Sequence, residues 1–203
     1  AKALNKRGLE TLAAAGAFCP IAGLGLMMLG PTLIEFGTEE QKLRHLPPIA
    51  RGELQWCQGF SEPGAGSDLA ALRMRCEDKN DHWLLNGQKI WTSYAHHSDW
   101  CFAIARTSTE KKQGGISFLL VDMKTPGIEV RPIKLINGVS HFCEAFFTDV
   151  KVPQENLVGE VGEVSVEPLA VGGVAPPVVL QEFLQLTLGD GGVAVEVVAL
   201  AGD

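Results

Sequence analysis

Two short stretches of the chain combine residue types that suit a planar ligand with polar or anionic groups. Residues 61–68 read Ser-Glu-Pro-Gly-Ala-Gly-Ser-Asp, and residues 88–93 read Gln-Lys-Ile-Trp-Thr-Ser. Glycines in the first stretch let a ligand approach the main chain, whose N–H groups could line an anion-binding concavity. In the second stretch, Trp91 places a large flat ring beside two hydroxyl groups. The two stretches together predict a loop of hydrogen-bond donors next to an aromatic surface.

The elements on either side of these stretches must position them. The dipeptide Asn86-Gly87 is a strong signal for a two-residue β-hairpin turn, so we predict a strand from Lys89 to Ser93 directly after it. On a strand, Trp91 and Ser93 would lie on the same face. The apolar run that ends at Phe60 predicts a strand leading into the first stretch.

The order of the predicted elements indicates an α+β fold, in which helices precede an antiparallel β-barrel-like or sandwich domain. Thr38 and Gln41 form a capping box that should open a short helix ending at Leu46, before Pro47-Pro48. From Glu53 onward, turn residues separate closely spaced strands with no helical segments between them. The predicted strands are Leu54–Phe60, Leu72–Cys76, Trp83–Leu85, Lys89–Ser93, Trp100–Arg106, Ile116–Val121, Ile128–Val130 and Ala145–Val152.

We divide the chain into a partial helical domain (1–52), a β-domain (53–160) and an atypical tail (161–203). The tail is rich in valine and glycine and has no Lys, Arg or His, whereas the first 160 residues are close to electrically neutral. Apart from a candidate strand at Val193–Leu200, no clear periodicity predicts its structure. We interpret the tail as a truncated or frame-shifted end.

Composition narrows the functional classes. A formal charge of −7 and a pI of about 5.3 argue against a nucleic-acid-binding surface, which would be basic. Five widely spaced cysteines and no evident secretory signal indicate a cytoplasmic protein with reduced thiols. Residues 12–34 carry no charge and are long enough to span a bilayer, but several glycines and prolines interrupt them, so a buried helical hairpin is favoured over a membrane span.

Three motifs resemble those of the acyl-CoA dehydrogenase family, in the family's order and spacing. They are residues 61–68, residues 86–93 and Val-Pro-Gln-Glu-Asn-Leu-Val-Gly-Glu at 152–160. Residues 30–52 also look like the end of the family's N-terminal helical domain, so the resemblance covers about residues 1–160. It implies a flavoprotein that removes two hydrogens from an acyl-CoA thioester and passes electrons to an electron-transfer flavoprotein.

The resemblance also implies which residues contact the cofactor, FAD. By position, the first motif would contact the flavin and the pyrophosphate side, and the indole of the second would pack on the flavin with a hydroxyl near its reactive nitrogen. Ser67 also matches a position that touches acyl-CoA. The implied cofactor-binding residues are Phe60, Ser61, Gly66, Ser67, Trp91, Thr92 and Ser93.

The tail departs from the family. In the family, the glutamate that removes the α-proton and the partner-subunit groups that grip FAD lie in a C-terminal four-helix domain, which residues 161–203 do not resemble. We therefore assign no catalytic residue, not even Glu182 or Glu196, and expect weak FAD retention. Two alternatives stay open: an acyl-CoA oxidase or flavin monooxygenase, and an inactive binding or interaction module. In the family, the full-length proteins form homo-oligomers.

Several other polar residues have simpler interpretations. Glu62 and Asp68 are predicted to cap the loop or lie at the surface, because the family's chemistry uses neither. His96 and His97 near Asp99 are predicted to form a solvated hairpin end, since the spacing typical of metal ligands is absent. Every tryptophan other than Trp91 is predicted to pack in the core.

Overall fold

The computed structural model describes residues 23–110, 112 and 114–164 of the chain. Most of the predicted tail, including Glu182, Glu196 and the candidate strand, lies outside these residues, as does the first part of the helical domain. The described helical part begins with a π-helical stretch, Gly25–Leu29, that continues directly into α1, Gly30–Phe36. Helix α2 spans Glu39–Ala50.

Helix α2 confirms the predicted start but not the predicted end. The Gln41 N–H donates to Thr38 Oγ1 at 3.2 Å, and the Thr38 N–H donates to Gln41 Oε1 at 3.0 Å, which completes the capping box. The predicted end at Leu46 is wrong, because both prolines lie inside the helix. Each proline lacks the N–H group that would donate to a carbonyl oxygen one helical turn earlier, and the residues that carry these two carbonyl groups are exposed. Ile49, which follows the prolines, is buried in the core.

The strands form one eight-stranded sheet that is mostly antiparallel, as predicted. Its order is β6-β7-β3-β2-β4-β5-β8, and β1 pairs in parallel with β4. Across the described residues, β6 and β8 end the order without pairing to each other, so the sheet is barrel-like only in part and does not close. The strands are β1 Trp56–Gly59, β2 Arg75–Asp78, β3 His82–Ser93, β4 Trp100–Arg106, β5 Ile116–Asp122, β6 Ile128–Ile133, β7 Phe142–Pro153 and β8 Leu157–Val158.

The predicted hairpin at Asn86-Gly87 is wrong, because β3 runs through this dipeptide and pairs with β7 along its length. Instead of turning the chain, the Asn86 side chain bonds to Asp149 of β7, with Nδ2 donating to Oδ1 at 3.0 Å. A Cβ atom at Gly87 would lie 2.8 Å from the Met74 Cα atom. The glycine therefore permits the close approach of a neighbouring segment. The two short strands predicted on either side of the dipeptide, Trp83–Leu85 and Lys89–Ser93, are parts of one long strand.

Strands β4 and β5 are buried on both faces and form the centre of the fold. One face packs against the helices, where Leu33, Phe102 and Phe118 belong to one core cluster. The other face packs against β3 and β7 through a second cluster that contains Trp83 and Val150. Within the described residues, no helix is long and apolar enough to cross a membrane.

Trp56 joins the helices to the sheet. A Cβ atom at Gly25 would lie 2.8 Å from Trp56 Cδ1, so this glycine lets the π-helical stretch pack directly on the indole. The Trp56 ring also packs against His45 of α2, with ring centroids 5.4 Å apart. The predicted packing role of this tryptophan is confirmed.

Candidate functional site

A β-bulge in β3 joins the two predicted motifs. Lys89 pairs with Ala145 and Thr92 pairs with Cys143, so β3 advances three residues while β7 advances two. The extra residue takes the Ile90 N–H out of the ladder, and this group donates to the Ser61 carbonyl oxygen at 2.9 Å. The bulge therefore ties β3 to residues 61–68, which we call the glycine loop.

The same bulge turns Trp91 outward. Trp91 has a φ of +59°, and its side chain is 55% exposed although it lies in a long strand. A left-handed conformation costs a residue other than glycine about 1–3 kcal/mol, and bulges commonly re-aim side chains in this way. The indole makes an edge contact with Phe142, whose ring centroid is 6.0 Å away. The exposed ring is an open surface for a planar ligand.

The two hydroxyl residues after Trp91 face different surroundings. Thr92 is fully buried, and its Oγ1 atom has no hydrogen-bond partner among the described residues. Ser93 is partly exposed and lines a cavity of about 540 Å³ between the π-helical stretch and the end of β3. Of these two residues, only Ser93 is therefore accessible to a ligand. The cavity is lined by Gly23, Leu24, Met27, Gln55, Trp56, Ser93, Tyr94, His97 and Ser98.

The glycine loop has a closed base and an open tip. The Phe60 ring is buried against Phe102 and Phe118, so this predicted cofactor contact places its side chain in the core. Gly66 and Ser67 are exposed, and a Cβ atom at Gly66 would meet nothing within 4 Å. Within the described part of the chain, neither of their N–H groups donates a hydrogen bond. These two N–H groups at the tip are thus available to donate hydrogen bonds to an anionic group.

A buried ion pair supports the base of the glycine loop. Lys89 Nζ donates to Glu62 Oε1 at 2.8 Å and to the Phe60 carbonyl oxygen at 3.0 Å. The Glu62 carboxylate also accepts the backbone N–H groups of Arg73, at 2.6 Å, and Met74, at 2.9 Å. Burial lowers the pKa of Lys89, while the Glu62 carboxylate acts in the opposite direction. The prediction that Glu62 lies at the surface is wrong, although its capping of backbone N–H groups is confirmed.

Sequence reasoning missed Lys89, although a signal for it was present. Trp83 and Leu85 are buried at alternate positions of β3, and Lys89 falls in the same every-second-residue register. A lysine at an inward position requires a partner, since buried charges are rarely left unpaired. The assumed turn at Asn86-Gly87 interrupted this pattern and hid it.

The opposite end of the loop carries an exposed ion pair. Lys112 Nζ lies 2.7 Å from Asp68 Oδ2, and both side chains are more than half exposed. The predicted surface position of Asp68 is confirmed. Both ends of the loop therefore carry a lysine–carboxylate pair, in opposite surroundings.

The histidines after β3 are not a plain solvated turn. His96 Nδ1 lies 3.0 Å from the Sγ atom of buried Cys143, whereas His97 is exposed. Burial and the nearby imidazoles of His97 and His141 lower the pKa of His96. The described residues contain no group of three or more potential metal ligands.

Comparison with known proteins identifies the family of residues 8–150. The sequence profile described as "Acyl-CoA dehydrogenase, middle domain" matches residues 57–150, and the one described as "Acyl-CoA dehydrogenase, N-terminal domain" matches residues 8–53. The chain belongs to the acyl-CoA dehydrogenase family. The resemblance predicted from the three motifs is confirmed, and the members of this family are FAD-dependent flavoproteins.

Several known proteins are similar to this chain. Acyl-CoA dehydrogenase IpdE1 of Mycobacterium tuberculosis is 46% identical over 155 residues, which are 76% of this chain and 40% of that protein. A structure titled "Tcur3481-Tcur3483 steroid ACAD" is 31% identical with a TM-score of 0.69, over 86% of this chain and 42% of that one. The ChsE4-ChsE5 complex of M. tuberculosis is 35% identical with a TM-score of 0.69, over 89% and 50%. The chain therefore spans half or less of the length of these relatives.

The residues at the site fit the family's cofactor. An exposed indole, a partly exposed hydroxyl and a loop tip with free N–H groups suit a flavin ring with a pyrophosphate. The structure joins Ser61 to the bulge beside Trp91 and leaves Ser67 free at the loop tip. It places Phe60 and Thr92 in the interior, and the contacts of all seven residues with a cofactor stay predictions.

Proposed function

We propose that this chain provides the surface on which an acyl-CoA dehydrogenase binds FAD and the CoA thioester. The observation that supports this most strongly is the bulge of β3, because it connects the glycine loop to an outward-facing Trp91. Bound FAD would supply a two-electron acceptor for α,β-dehydrogenation of the thioester. The role of the chain is to bind and orient the reactants.

Individual residues would divide this work. Trp91 would pack on the flavin ring, and the Ser93 hydroxyl would donate to the edge of the ring. The free N–H groups of Gly66 and Ser67 would bind the pyrophosphate, and the Ser67 hydroxyl would contact the CoA thioester. Phe60, Ser61 and Thr92 would hold these groups in place from behind, since Phe60 and Thr92 are buried and the Ser61 carbonyl oxygen accepts the Ile90 N–H.

The cavity beside Ser93 supports a large acyl group. Its volume of about 540 Å³ is within the range of sites for drug-sized ligands, and Leu24, Met27 and Trp56 give it an apolar lining. One structural relative is titled a steroid acyl-CoA dehydrogenase. We therefore propose a bulky, polycyclic acyl-CoA as the substrate class, which predicts tighter binding of a steroid-derived CoA thioester than of butyryl-CoA in calorimetric titrations.

We also propose an electron-transfer flavoprotein as the electron acceptor. The exposed Trp91 would lie near the route by which electrons leave the site.

We further propose that the chain assembles with other acyl-CoA dehydrogenase subunits, either identical or of a second type. A structural relative of this chain is itself a complex of two named proteins. Light scattering of the purified chain, alone and with a candidate partner subunit, measures this assembly.

The experiment that tests the proposed function is an anaerobic absorption titration. The chain is saturated with added FAD, and a series of acyl-CoA thioesters is then added while the flavin band is recorded. We expect weakly retained FAD whose band changes on binding of the thioester, and bleaching would additionally show dehydrogenation. Failure of FAD to bind would contradict the proposal, and rapid dioxygen consumption without an acceptor would indicate an oxidase instead.

A further inference from the structure

Lys89 contacts the glycine loop at the point where the loop leaves the sheet. Its side chain is fully buried, and its ammonium group donates both to the main chain of Phe60 and to the side chain of Glu62. Because the Ile90 N–H donates to Ser61, two consecutive residues of β3 bind Phe60 and the first two residues of the loop. The conformation of the loop base is thus set from β3.

The sheet provides room for this lysine. A Cβ atom at Gly59 would lie 2.9 Å from Cys101 Sγ and 3.5 Å from Lys89 Cγ. Glycine at this position lets the aliphatic part of the lysine pass beside β1. The loop base and the bulge with Trp91 are therefore packed as one unit.

Glu62 extends the connection to a third segment. Its two carboxylate oxygens accept the Lys89 ammonium group and the backbone N–H groups of Arg73 and Met74. This carboxylate joins the loop base both to β3 and to the segment that leads into β2. A loop fixed on both sides presents its tip in one orientation, which lowers the ordering cost of ligand binding.

We propose that Lys89, acting through Phe60 and Glu62, is a positioning residue that fixes the glycine loop for binding of the FAD pyrophosphate. This inference rests on the proposed function. Lys89 itself would not contact the cofactor, because it is buried beneath the loop. The matched control is Lys112, whose exposed ion pair with Asp68 is at the other end of the same loop.

The first test needs no cofactor. Hydrogen–deuterium exchange is measured for the parent chain, Lys89→Met, the double variant Lys89→Met/Glu62→Gln, and Lys112→Met. The double variant keeps a side-chain oxygen for the backbone donors while removing the charge that Lys89→Met alone would leave unpaired. We expect the amides of Ile90, Arg73 and Met74 to exchange at least about tenfold faster in both Lys89 variants, while the amides of β5 are unchanged in the double variant.

The second test is the FAD dissociation constant of the same variants. We expect an increase of about tenfold or more in both Lys89 variants and less than about twofold in Lys112→Met, since only the buried pair orders the loop base. Parent-like exchange at Ile90 in the double variant, or an equal effect of Lys112→Met, would overturn the inference. If the parent chain binds no FAD, the proposed function fails, and the exchange data still decide whether Lys89 positions the loop.

Discussion

The two ends of the glycine loop carry the same chemical pair in opposite environments. At the base, Lys89 and Glu62 are both buried and their charges are satisfied by one another and by main-chain groups. At the exit, Lys112 and Asp68 lie at a similar separation but are mostly exposed to water. The distances alone, 2.8 and 2.7 Å, would rank the pairs as equal.

Burial, rather than the distance between the charged atoms, therefore determines how strongly each ion pair holds the loop. Removing one member of a buried pair leaves an uncompensated charge in a medium that solvates it poorly, whereas water solvates either member of an exposed pair. We therefore assign the fixed geometry of the loop base to Lys89 and Glu62. The exit pair contributes little to this geometry.

The largest expected effect is that of Lys89→Met, which strands the Glu62 carboxylate in the interior. Loss of one member of a buried pair typically costs about 3–5 kcal/mol of unfolding free energy. The measurement is urea denaturation monitored by far-UV circular dichroism. Lys112→Met is the matched control, with an expected loss below about 1 kcal/mol. Equal losses in the two variants would show that burial does not separate the pairs.

A second prediction contrasts Lys89, a buried cation with hydrogen-bond partners, with His45, a buried imidazole without any among the described residues. His45 is 1% exposed, packs edge-on against Trp56 and Trp100, and neither ring nitrogen has a partner among the described residues. Burial, with a smaller contribution from Arg44, lowers the pKa of His45 from its ordinary value of 6.5 to about 4.

Below about pH 6.5 the unfolded chain therefore binds a proton that the folded chain does not. The unfolding free energy should fall by about 3 kcal/mol through this one group as the pH drops from 6.5 to 4. Urea denaturation at several pH values measures this slope, and His45→Phe should flatten it. An unchanged slope in that variant would assign the acid sensitivity to other groups.

Glycine substitutions at the base and at the tip of the loop test the same comparison, with an intermediate expected loss of unfolding free energy at the base. In Gly59→Ala, the added methyl group would meet Cys101 and crowd Lys89 at the loop base, and overpacking of this kind costs about 1–3 kcal/mol. In Gly66→Ala at the tip, the methyl group meets nothing, so the change should be within about 0.5 kcal/mol. Thermal unfolding of the two variants checks this, and a larger loss for Gly66→Ala would contradict a rigid base and an open tip.

The smallest expected effect is that of Asp68→Asn. It removes the exposed carboxylate while keeping a similar shape, and the unfolding free energy should change by less than about 1 kcal/mol. Raising the salt concentration should reduce even this difference, because salt screens exposed charges. A loss comparable with that of Glu62→Gln, measured in parallel, would mean that the exit pair also supports the loop.

Periodicity and capping signals predicted much of the fold. Strand Trp100–Arg106 was predicted with its observed bounds, because its apolar residues are consecutive and turn residues bound it. Thr38 and Gln41 correctly predicted the start of α2, since the capping box is a local interaction. The end of that helix could not be predicted, because tertiary burial of Ile49 overrides the two prolines.

The site was harder to predict because its decisive features are not local. The motifs identified the stretches, but nothing in residues 88–93 alone predicts a bulge, which depends on the register with β7. Thr92 resembles Ser93 in sequence, yet the bulge places one in the core and the other on the cavity. Asn86-Gly87 predicted a turn because its partner Asp149 is distant in sequence.

The most direct test of the account is an FAD titration of the parent chain, Trp91→Leu and Leu43→Ala, followed by flavin absorbance and fluorescence. Leu43 is an exposed apolar residue on α2 and serves as the control. Stacking on an aromatic ring contributes about 1–3 kcal/mol, so Trp91→Leu should weaken saturable FAD binding about tenfold or more, and Leu43→Ala should leave it unchanged. Binding that is absent from the parent chain, or equal in all three proteins, would contradict the claim that the bulge and the glycine loop form a flavin site.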